Sequence, residues 1–531
     1  MAQSRREGKT VTINRLASRM ALIACASTLA IAGSAGAQTP ASQTSASPAA
    51  GDQQARIEAL EAQLKLLQQQ INELKTATMA SRPVTTAPAA ATPATTAQAA
   101  PAQTQVAAVA PPPKAASPLP AATVSIAAGR PTIASTDGAF TASLHAVMQL
   151  DTAHYFQDKG LPAVIGNGRD LNSGSNFRRA RLGVDGRFFK NFDYSILLDF
   201  GGNGTDGPGM LQELFIQYNY APFRVRAGAF APNVGLSDAA SQNSALFPER
   251  AAIAEMVRGL AAADRRYGLQ VQTSGENWLL SAAATGGKSG DAQTFDEQQA
   301  YVGRAAFAPI KNKDWLLHLG VNGGYIATPA QTAVGGAYAL TLTERPELRV
   351  DGTTLVSTGA LDAKNLRHLG AELAVQHKSL LIQSEVFDIA LERRNAAAGV
   401  SDPKFGGWYV EGGLVLTGES RRYNASTFAF DAPSIAHPFD PKAGQWGAWE
   451  LAARYSVLDL NHHELAALAA DRVRGGEQTI WSAGVNWFPN SVTKVSLDYL
   501  DVDIDRLDPA GGATPLSQGY QAVNLRSQFA F

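Results

Sequence analysis

The sequence has little of what holds most soluble domains together. Cys25 is the single cysteine in 531 residues, so the rest of the chain has neither a disulfide nor a cysteine metal site. Charged residues make up 17% of the chain, below the roughly 25% of typical soluble domains. The net charge of -1 excludes the overall basic surplus of a nucleic-acid-binding protein. After residue 37 no apolar run reaches about 18 residues, so no transmembrane helix is expected.

Motifs for chemistry are also missing. No serine, histidine and aspartate stand in a recognisable nucleophile context, so the sequence predicts no enzyme. It predicts no cofactor either. His462 and His463 are adjacent in a predicted loop. They have no further ligand at metal-binding spacing, so no metal site is predicted.

The N-terminal part divides by composition. Residues 1–37 have basic residues, then an apolar run, then the small-residue cleavage site Ala35-Gly36-Ala37, which together predict a secretory signal peptide. A flexible mature N-terminus is expected over 38–52. Residues 80–137 are rich in alanine and proline and predict an extended linker.

Between these segments, residues 53–79 predict a coiled-coil helix. A regular seam of apolar residues, alternately three and four apart, consists of Ile57, Leu60, Leu64, Leu67, Ile71 and Leu74. This is the a/d spacing of a coiled coil. Because so short a helix is marginal alone in water, the seam predicts self-association. The alternative is an amphipathic helix that lies on another surface.

The body of the chain, 138–531, is patterned as strands. Apolar and polar residues alternate in sixteen stretches, near 139–152, 177–189, 191–201, 211–221, 223–231, 265–274, 276–286, 299–309, 314–326, 366–377, 379–391, 406–418, 446–459, 478–489, 491–505 and 518–531. In the hairpin 176–200 one face carries Leu182, Ile196 and Leu198, and the other Arg181 and Asp199. Such two-faced strands fit a soluble sandwich or a membrane barrel with a wet lumen.

The connections favour the barrel. Short turns such as Lys190-Asn191 and Ala221-Pro222 alternate with long loops, as in outer-membrane barrels. The exception is 419–445, which is long where a short turn is expected and indicates a register error in the predicted strands. The last strand ends on Phe531, and a terminal aromatic residue is similar to the recognition signal of bacterial outer-membrane barrels.

Several blocks resemble the phosphate-selective porin family (porins O and P). They are Phe177-Arg178-Arg179-Ala180, Leu416-Thr417-Gly418-Glu419, Gly447-Ala448-Trp449-Glu450-Leu451 with Arg454-Tyr455, Gly484-Val485-Asn486-Trp487, and Leu525-Arg526 with Phe531. The resemblance covers about 138–531. It implies an all-β transmembrane fold, a sixteen-stranded antiparallel outer-membrane barrel, trimeric, with a constricting third loop.

The resemblance places that loop at 232–264. Members of the family carry a lysine at the anion site of the loop, and here Asn243 stands in its place. This departure weakens the expectation of tight phosphate binding. Arg250 and Arg258 are the basic candidates of the constriction, and Ile253, Met256 and Val257 are expected to pack against the inner wall.

Strand alternation predicts which basic residues line the pore. The inward candidates are Arg179, Arg181, Arg187, Arg224, Arg226, Arg266, Arg304, Arg454 and Arg526. Arginine stays charged and binds oxyanions with a planar fork, and arginine rings favour anions in pores. The alternative for each is an ion pair that only stabilises the wall.

The sequence therefore predicts an outer-membrane porin for passive diffusion of small anions, including phosphate or polyphosphate. Its expected partners are outer-membrane lipid and lipopolysaccharide, two further copies in a homotrimer, the permeating anions and, through a periplasmic coiled coil, the cell wall. No nucleic acid is expected. The alternatives are a barrel whose main role is to tether the outer membrane, and a soluble secreted β protein such as a lectin.

Overall fold

A computed structural model describes residues 122–531, apart from 128, 163–167, 203–208, 264, 293–294, 332–335 and 511–513. The predicted signal peptide, the coiled coil and most of the linker lie outside the described residues. Those assignments stay predictions.

Sixteen antiparallel strands form a closed barrel. They are β1 (Thr141–Phe156), β2 (Gly174–Phe188), β3 (Phe192–Asp199), β4 (Met210–Tyr220), β5 (Phe223–Phe230), β6 (Arg266–Ser274), β7 (Trp278–Lys288), β8 (Gln299–Lys311), β9 (Trp315–Thr328), β10 (Val356–His377), β11 (Leu380–Arg393), β12 (Lys404–Val415), β13 (Ala448–His462), β14 (Val473–Asn490), β15 (Thr493–Asp505) and β16 (Gln518–Ala530). Each strand pairs with the next along the chain. The sixteen predicted stretches are confirmed.

The barrel closes between its first and last strands. β16 pairs with β1, with the register running from Gln521 opposite Phe156 to Ala530 opposite Val147. Closure leaves no unpaired strand edge in the wall, which a membrane requires because lipid cannot satisfy backbone groups. Some strands are longer than predicted: β10 starts at Val356 because its first residues pair with a short strand, Ala339–Glu344, in the preceding loop.

The side chains are distributed inside out relative to a soluble protein. Apolar residues of the outer face, such as Leu182, Val386 and Leu497, are about half exposed, whereas inward Asp151, Glu450 and Asn486 are buried. A soluble sandwich would bury the first group and expose the second. The apolar outer face is therefore the lipid-facing surface of a membrane barrel. Among the described residues, no helix is both long and apolar enough to span a membrane.

The connections alternate in length, as predicted. Two or three residues join the strands at one rim, as at 221–222 and 378–379, and longer loops join them at the other. We call these the short-turn rim and the long-loop rim. At the short-turn rim a hairpin of Ala122–Ala127 and Arg130–Ser135 precedes β1 and pairs with it.

The long segment at the short-turn rim is not a register error. β12 and β13 on either side of it remain paired up to Val415 opposite Glu450. Within the connection, Arg421–Asn424 and Ala429–Pro433 form a hairpin, which we call the inner hairpin. Arg304 on β8 donates to Thr427 O (2.6 Å) and Phe428 O (3.0 Å), so the hairpin extends into the lumen and contacts the wall at β8.

Candidate pore and its constriction

The third long loop, 231–265, also folds into the lumen. It contains helix α1 (Leu236–Ala239), a 3-10 turn at Gln242–Ser244 and helix α2 (Ala252–Ala261). Ile253, Met256, Val257 and Leu260 follow helical spacing and are buried, so one face of α2 packs on the inner wall. Gly407 makes room for it, because a Cβ there would lie 3.0 Å from Cγ1 of Ile253.

Carboxylates hold the beginnings of both helices. The backbone N–H groups of Leu236 and Ser237 donate to Glu385 (2.8 and 3.0 Å), and that of Ala252 donates to Glu347 Oε1 (2.9 Å). A helix N-terminus carries free N–H groups and partial positive charge, so acceptors there are stabilising. Arg266 donates to the carbonyls of Gly259, Leu260 and Ala262 and so holds the end of α2.

Glu249 is the central anchor of the loop. It pairs with Arg178 (2.8 Å) and Arg526 (2.7 Å), and Arg349 lies 3.7 Å away. Burial would raise the pKa of Glu249, but Arg178, Arg526 and their neighbours lower it well below its usual range. The carboxylate therefore stays ionised. Arg349 comes from the loop 329–355 between β9 and β10. This loop therefore reaches into the lumen as well.

Most of the predicted arginines are engaged in such buried contacts. Arg304 is bidentate to Glu372, and Arg526 is bidentate to Asp151 (2.6 Å for both bonds). Arg454 pairs with Glu347 and with Glu411 (3.3 Å). Within the loop, Arg258 pairs with Asp238, and Arg250 lies 3.9 Å from the same aspartate. These groups, with Arg266, fasten loops and inner hairpin to the wall.

The remaining arginines lie on one side of the barrel, on β2 to β5. Arg181 pairs with Asp199 and Arg187 with Asp193 (2.7 Å each). Arg179 donates to Gln149 Oε1 (2.7 Å) and is buried.

Arg224 and Arg226 on β5 differ from the others. Arg224 donates to Ser274 Oγ (3.2 Å), and Arg226 donates to Gln217 Oε1 (2.8 and 3.0 Å) and lies 4.2 Å above the Phe215 ring. Among the described residues neither forms an ion pair with a carboxylate. Asp193 and Glu213 lie close enough to act on these charges, but no carboxylate in the described part of the chain neutralises them by direct contact.

Two cavities adjoin the third loop. The long-loop cavity, about 430 Å³, has three acidic lining residues, Asp199, Glu255 and Glu344, and six basic ones: Arg178, Arg181, Arg258, Arg265, Lys288 and Arg349. The short-turn cavity, about 570 Å³, is lined by Arg422, Lys494, His145 and Asn243 among others, with no aspartate or glutamate among its described lining residues. The linings of both cavities therefore contain more basic than acidic side chains, although Arg178 and Arg258 are paired with Glu249 and Asp238 outside the lining.

Comparison with known proteins decides what kind of barrel this is. Residues 154–531 match the family model described as phosphate-selective porin O and P. The chain belongs to this porin family. It is therefore an outer-membrane channel, with its short-turn rim in the periplasm and its long-loop rim outside the cell.

Relatives of this porin include proteins of two bacteria. A protein of Caulobacter vibrioides, described as uncharacterized, is 30% identical over 419 residues, which cover 77% of this chain and 76% of the relative. Porin O of Pseudomonas aeruginosa is 27% identical over 403 residues, which cover 72% and 87%. Among solved structures, the outer membrane channel DcaP of Acinetobacter baumannii aligns with a TM-score of 0.44 at 13% identity, over 75% of this porin and 99% of that chain.

Asn243, which the sequence predicts to replace the loop lysine of the family, faces the short-turn cavity. Its Oδ1 accepts from Gln149 Nε2 (3.2 Å), and its carbonyl accepts from Gln528 Nε2 (2.9 Å). An amide at this point can bind an anion only as a neutral donor. A lysine there would add a full positive charge.

Other basic lining residues did not appear among the sequence candidates. Lys494 alternates with Ser496 and Asp498 on the inward face of β15, so the period-two pattern could have included it. Arg349 and Arg422 had no such signal, because they lie in connections whose entry into the lumen depends on distant contacts. The length of 329–355 and of the 419–445 exception was the available hint.

Proposed function

We propose that this porin conducts small anions, phosphate among them, by passive diffusion. The observation that carries the proposal is the basic excess of the two cavities on either side of the third loop. Arg224 and Arg226, without carboxylate partners among the described residues, extend that excess along the wall. No energy source or chemical step is required.

The physical basis is electrostatic. A narrow water path with low-dielectric walls focuses the field of the groups that line it, so a basic lining raises the local anion concentration. Arginine suits this task because it stays charged at any working pH. Many contacts of moderate strength along the path let an ion enter and leave, as conduction needs.

The structure favours a channel for small anions over one with a tight phosphate site. Asn243 supplies no charge at the loop, and Arg250 and Arg258 are engaged with Asp238 and Glu255. Phosphate would then pass as one of several oxyanions. Polyphosphate would follow the same basic lining.

The test is a reversal-potential measurement on the purified porin in a planar bilayer under a KCl gradient. We expect a reversal potential of the sign set by chloride, and inhibition of the chloride current by phosphate only at high concentration. A potential of the sign set by potassium would overturn the anion proposal and leave the outer-membrane channel in place.

We further propose that the porin works as a homotrimer in contact with outer-membrane lipid and lipopolysaccharide. The exposed apolar outer face supports the lipid contact, and the coiled-coil seam predicted over 53–79 supports self-association. Mass measurement in detergent should give three chains; a single chain would contradict the assembly.

Tethering of the outer membrane through that coil rests on the sequence alone. Deletion of 38–122, followed by separate measurements of solute uptake and envelope integrity, distinguishes tethering from transport.

A further inference from the structure

A cluster of potential metal ligands lies at the long-loop rim, apart from the pore. β13 ends at His462, His463 begins the next loop, and Asp471 ends a 3-10 turn, Ala469–Asp471, in the same loop. Ser401, in the connection between β11 and β12, contacts all three residues. The sequence pointed to no ligand beyond the histidine pair, but the fold places Asp471 beside it.

The ligand atoms lie close together around the Ser401 hydroxyl. One nitrogen from each imidazole and one oxygen of Asp471 all lie within 4.8 Å of one another. Ser401 Oγ is 2.6 Å from Asp471 Oδ1, 2.9 Å from His462 Nε2 and 3.2 Å from His463 Nδ1. A zinc ion with ligands at about 2.0–2.2 Å needs ligand atoms about 3.3 Å apart, so closure onto a metal needs side-chain shifts of about an ångström.

The backbone conformation of His463 and a contact from Ser401 hold these ligand groups in place. His463 has φ of 45°, a left-handed conformation that is uncommon outside glycine. The two imidazole rings stack with their centroids 3.9 Å apart. Asp471 Oδ1 also accepts from the backbone N–H of Ser401 (2.7 Å), a contact that orients the carboxylate as outer-shell partners orient metal ligands.

The same residues do not form a hydrolytic triad. A triad needs one imidazole that contacts the serine through one nitrogen and the aspartate through the other. Here His462 contacts Ser401 through Nε2, while its Nδ1 faces the backbone N–H of Lys404 (3.4 Å). Asp471 instead contacts Nδ1 of His463 (2.8 Å), and the same nitrogen contacts Ser401 Oγ. No proton path runs from serine to aspartate through one ring.

We propose that His462 Nε2, His463 Nδ1 and the Asp471 carboxylate, brought together at the long-loop rim, bind a divalent transition-metal cation such as Zn²⁺. Two imidazoles and one carboxylate suit borderline metals, whereas Mg²⁺ and Ca²⁺ prefer sites made only of oxygen. Water or Ser401 completes the coordination. The metal joins the loop 463–472 to the end of β13 and, through Ser401, to the neighbouring loop 394–403.

The test is calorimetric titration of the full porin with ZnCl₂, in detergent after EDTA treatment and without a polyhistidine tag. We expect one Zn²⁺ per chain. H463Q and D471N should each weaken binding at least tenfold. The matched control is H437Q, an exposed histidine in the connection at the opposite rim, which should leave binding unchanged.

A second measurement uses limited proteolysis of the same proteins. Zn²⁺ should slow cleavage within 463–472 in the wild type and in H437Q, and should have no effect in the H462Q/H463Q/D471N variant. Ca²⁺ and Mg²⁺ should give no protection. The proposal is overturned if the wild type shows no saturable Zn²⁺ binding, or if the triple variant, with the heat-modifiable mobility of a folded barrel, binds as tightly.

Discussion

The two sides of the barrel wall use the same residue types for different purposes. On β2 to β5, inward Asp185, Asp193 and Arg226 are only partly buried and face the water path. On β10 to β14, inward Glu385 and Glu450 are buried beneath the third loop and the inner hairpin. An inward charge is therefore a pore group on one side and a structural anchor on the other, and the elements that enter the lumen make the difference.

The largest expected effect is a difference in the stability of the barrel between a variant of the packed side and a variant of the open side. R454A leaves Glu347 and Glu411 buried without their cation. Loss of one partner of a buried pair costs about 3–5 kcal/mol. R224A removes a half-buried group whose described partner is Ser274, and should cost less than about 1 kcal/mol. The heat-induced gel shift of the folded barrel measures both, and an equal shift in the two variants would erase the distinction.

The next largest effect should come from adding a positive charge to the third loop. N243K places an ammonium at the edge of the short-turn cavity, where Asn243 now accepts from Gln149. A hydrogen bond to a charged group contributes about 1.5–3 kcal/mol, so phosphate should block the chloride current at concentrations at least about tenfold lower. The control N243Q keeps the amide. If both variants respond to phosphate as the wild type does, the loop position does not control oxyanion affinity.

The sequence predicts the features of the barrel that depend on local alternation, and it does not predict those that depend on contacts between distant residues. Alternation with period two correctly predicted the sixteen strands and the inward direction of Arg304 and Arg454, because a half-buried strand must alternate. It could not predict which inward arginines are paired. Arg454 donates to the carbonyl of Glu249 (2.9 Å), a partner far away in the chain, and such contacts exist only once a loop has entered the barrel.

A smaller effect should come from the arginines of β5 that face the water path. R224Q/R226Q removes two charges without a carboxylate partner among the described residues. A unit charge about 4 Å from an ion contributes about 1 kcal/mol in water, so the chloride-to-potassium permeability ratio should fall about fivefold. The matched control R367Q removes an exposed arginine that follows the outward register of Leu369 on β10 and should leave the ratio unchanged. An equal fall in the control would assign the selectivity to overall charge.

The smallest effect comes from a residue at the border between the packed and open sides. Glu344 ends the short strand of the loop 329–355, accepts from Arg349 Nη2 (3.1 Å) and lines the long-loop cavity. Burial raises the pKa of Glu344 to about 7, so the carboxyl is neutral below that pH and anionic above it. Partial burial would raise the pKa of the neighbouring Glu255, but Arg258 and Arg250 lower it to about 2, and it stays ionised throughout.

Chloride conductance should therefore be modestly higher at pH 6 than at pH 8, because protonation removes one negative charge from the cavity. E344Q should abolish this difference in conductance between pH 6 and pH 8. E255Q should raise conductance at both pH values and move the pH dependence to lower pH, because the charge of Glu255 helps to raise the pKa of Glu344. A difference that persists in E344Q would assign the titration to another group and place Glu344 with the anchors of the packed side.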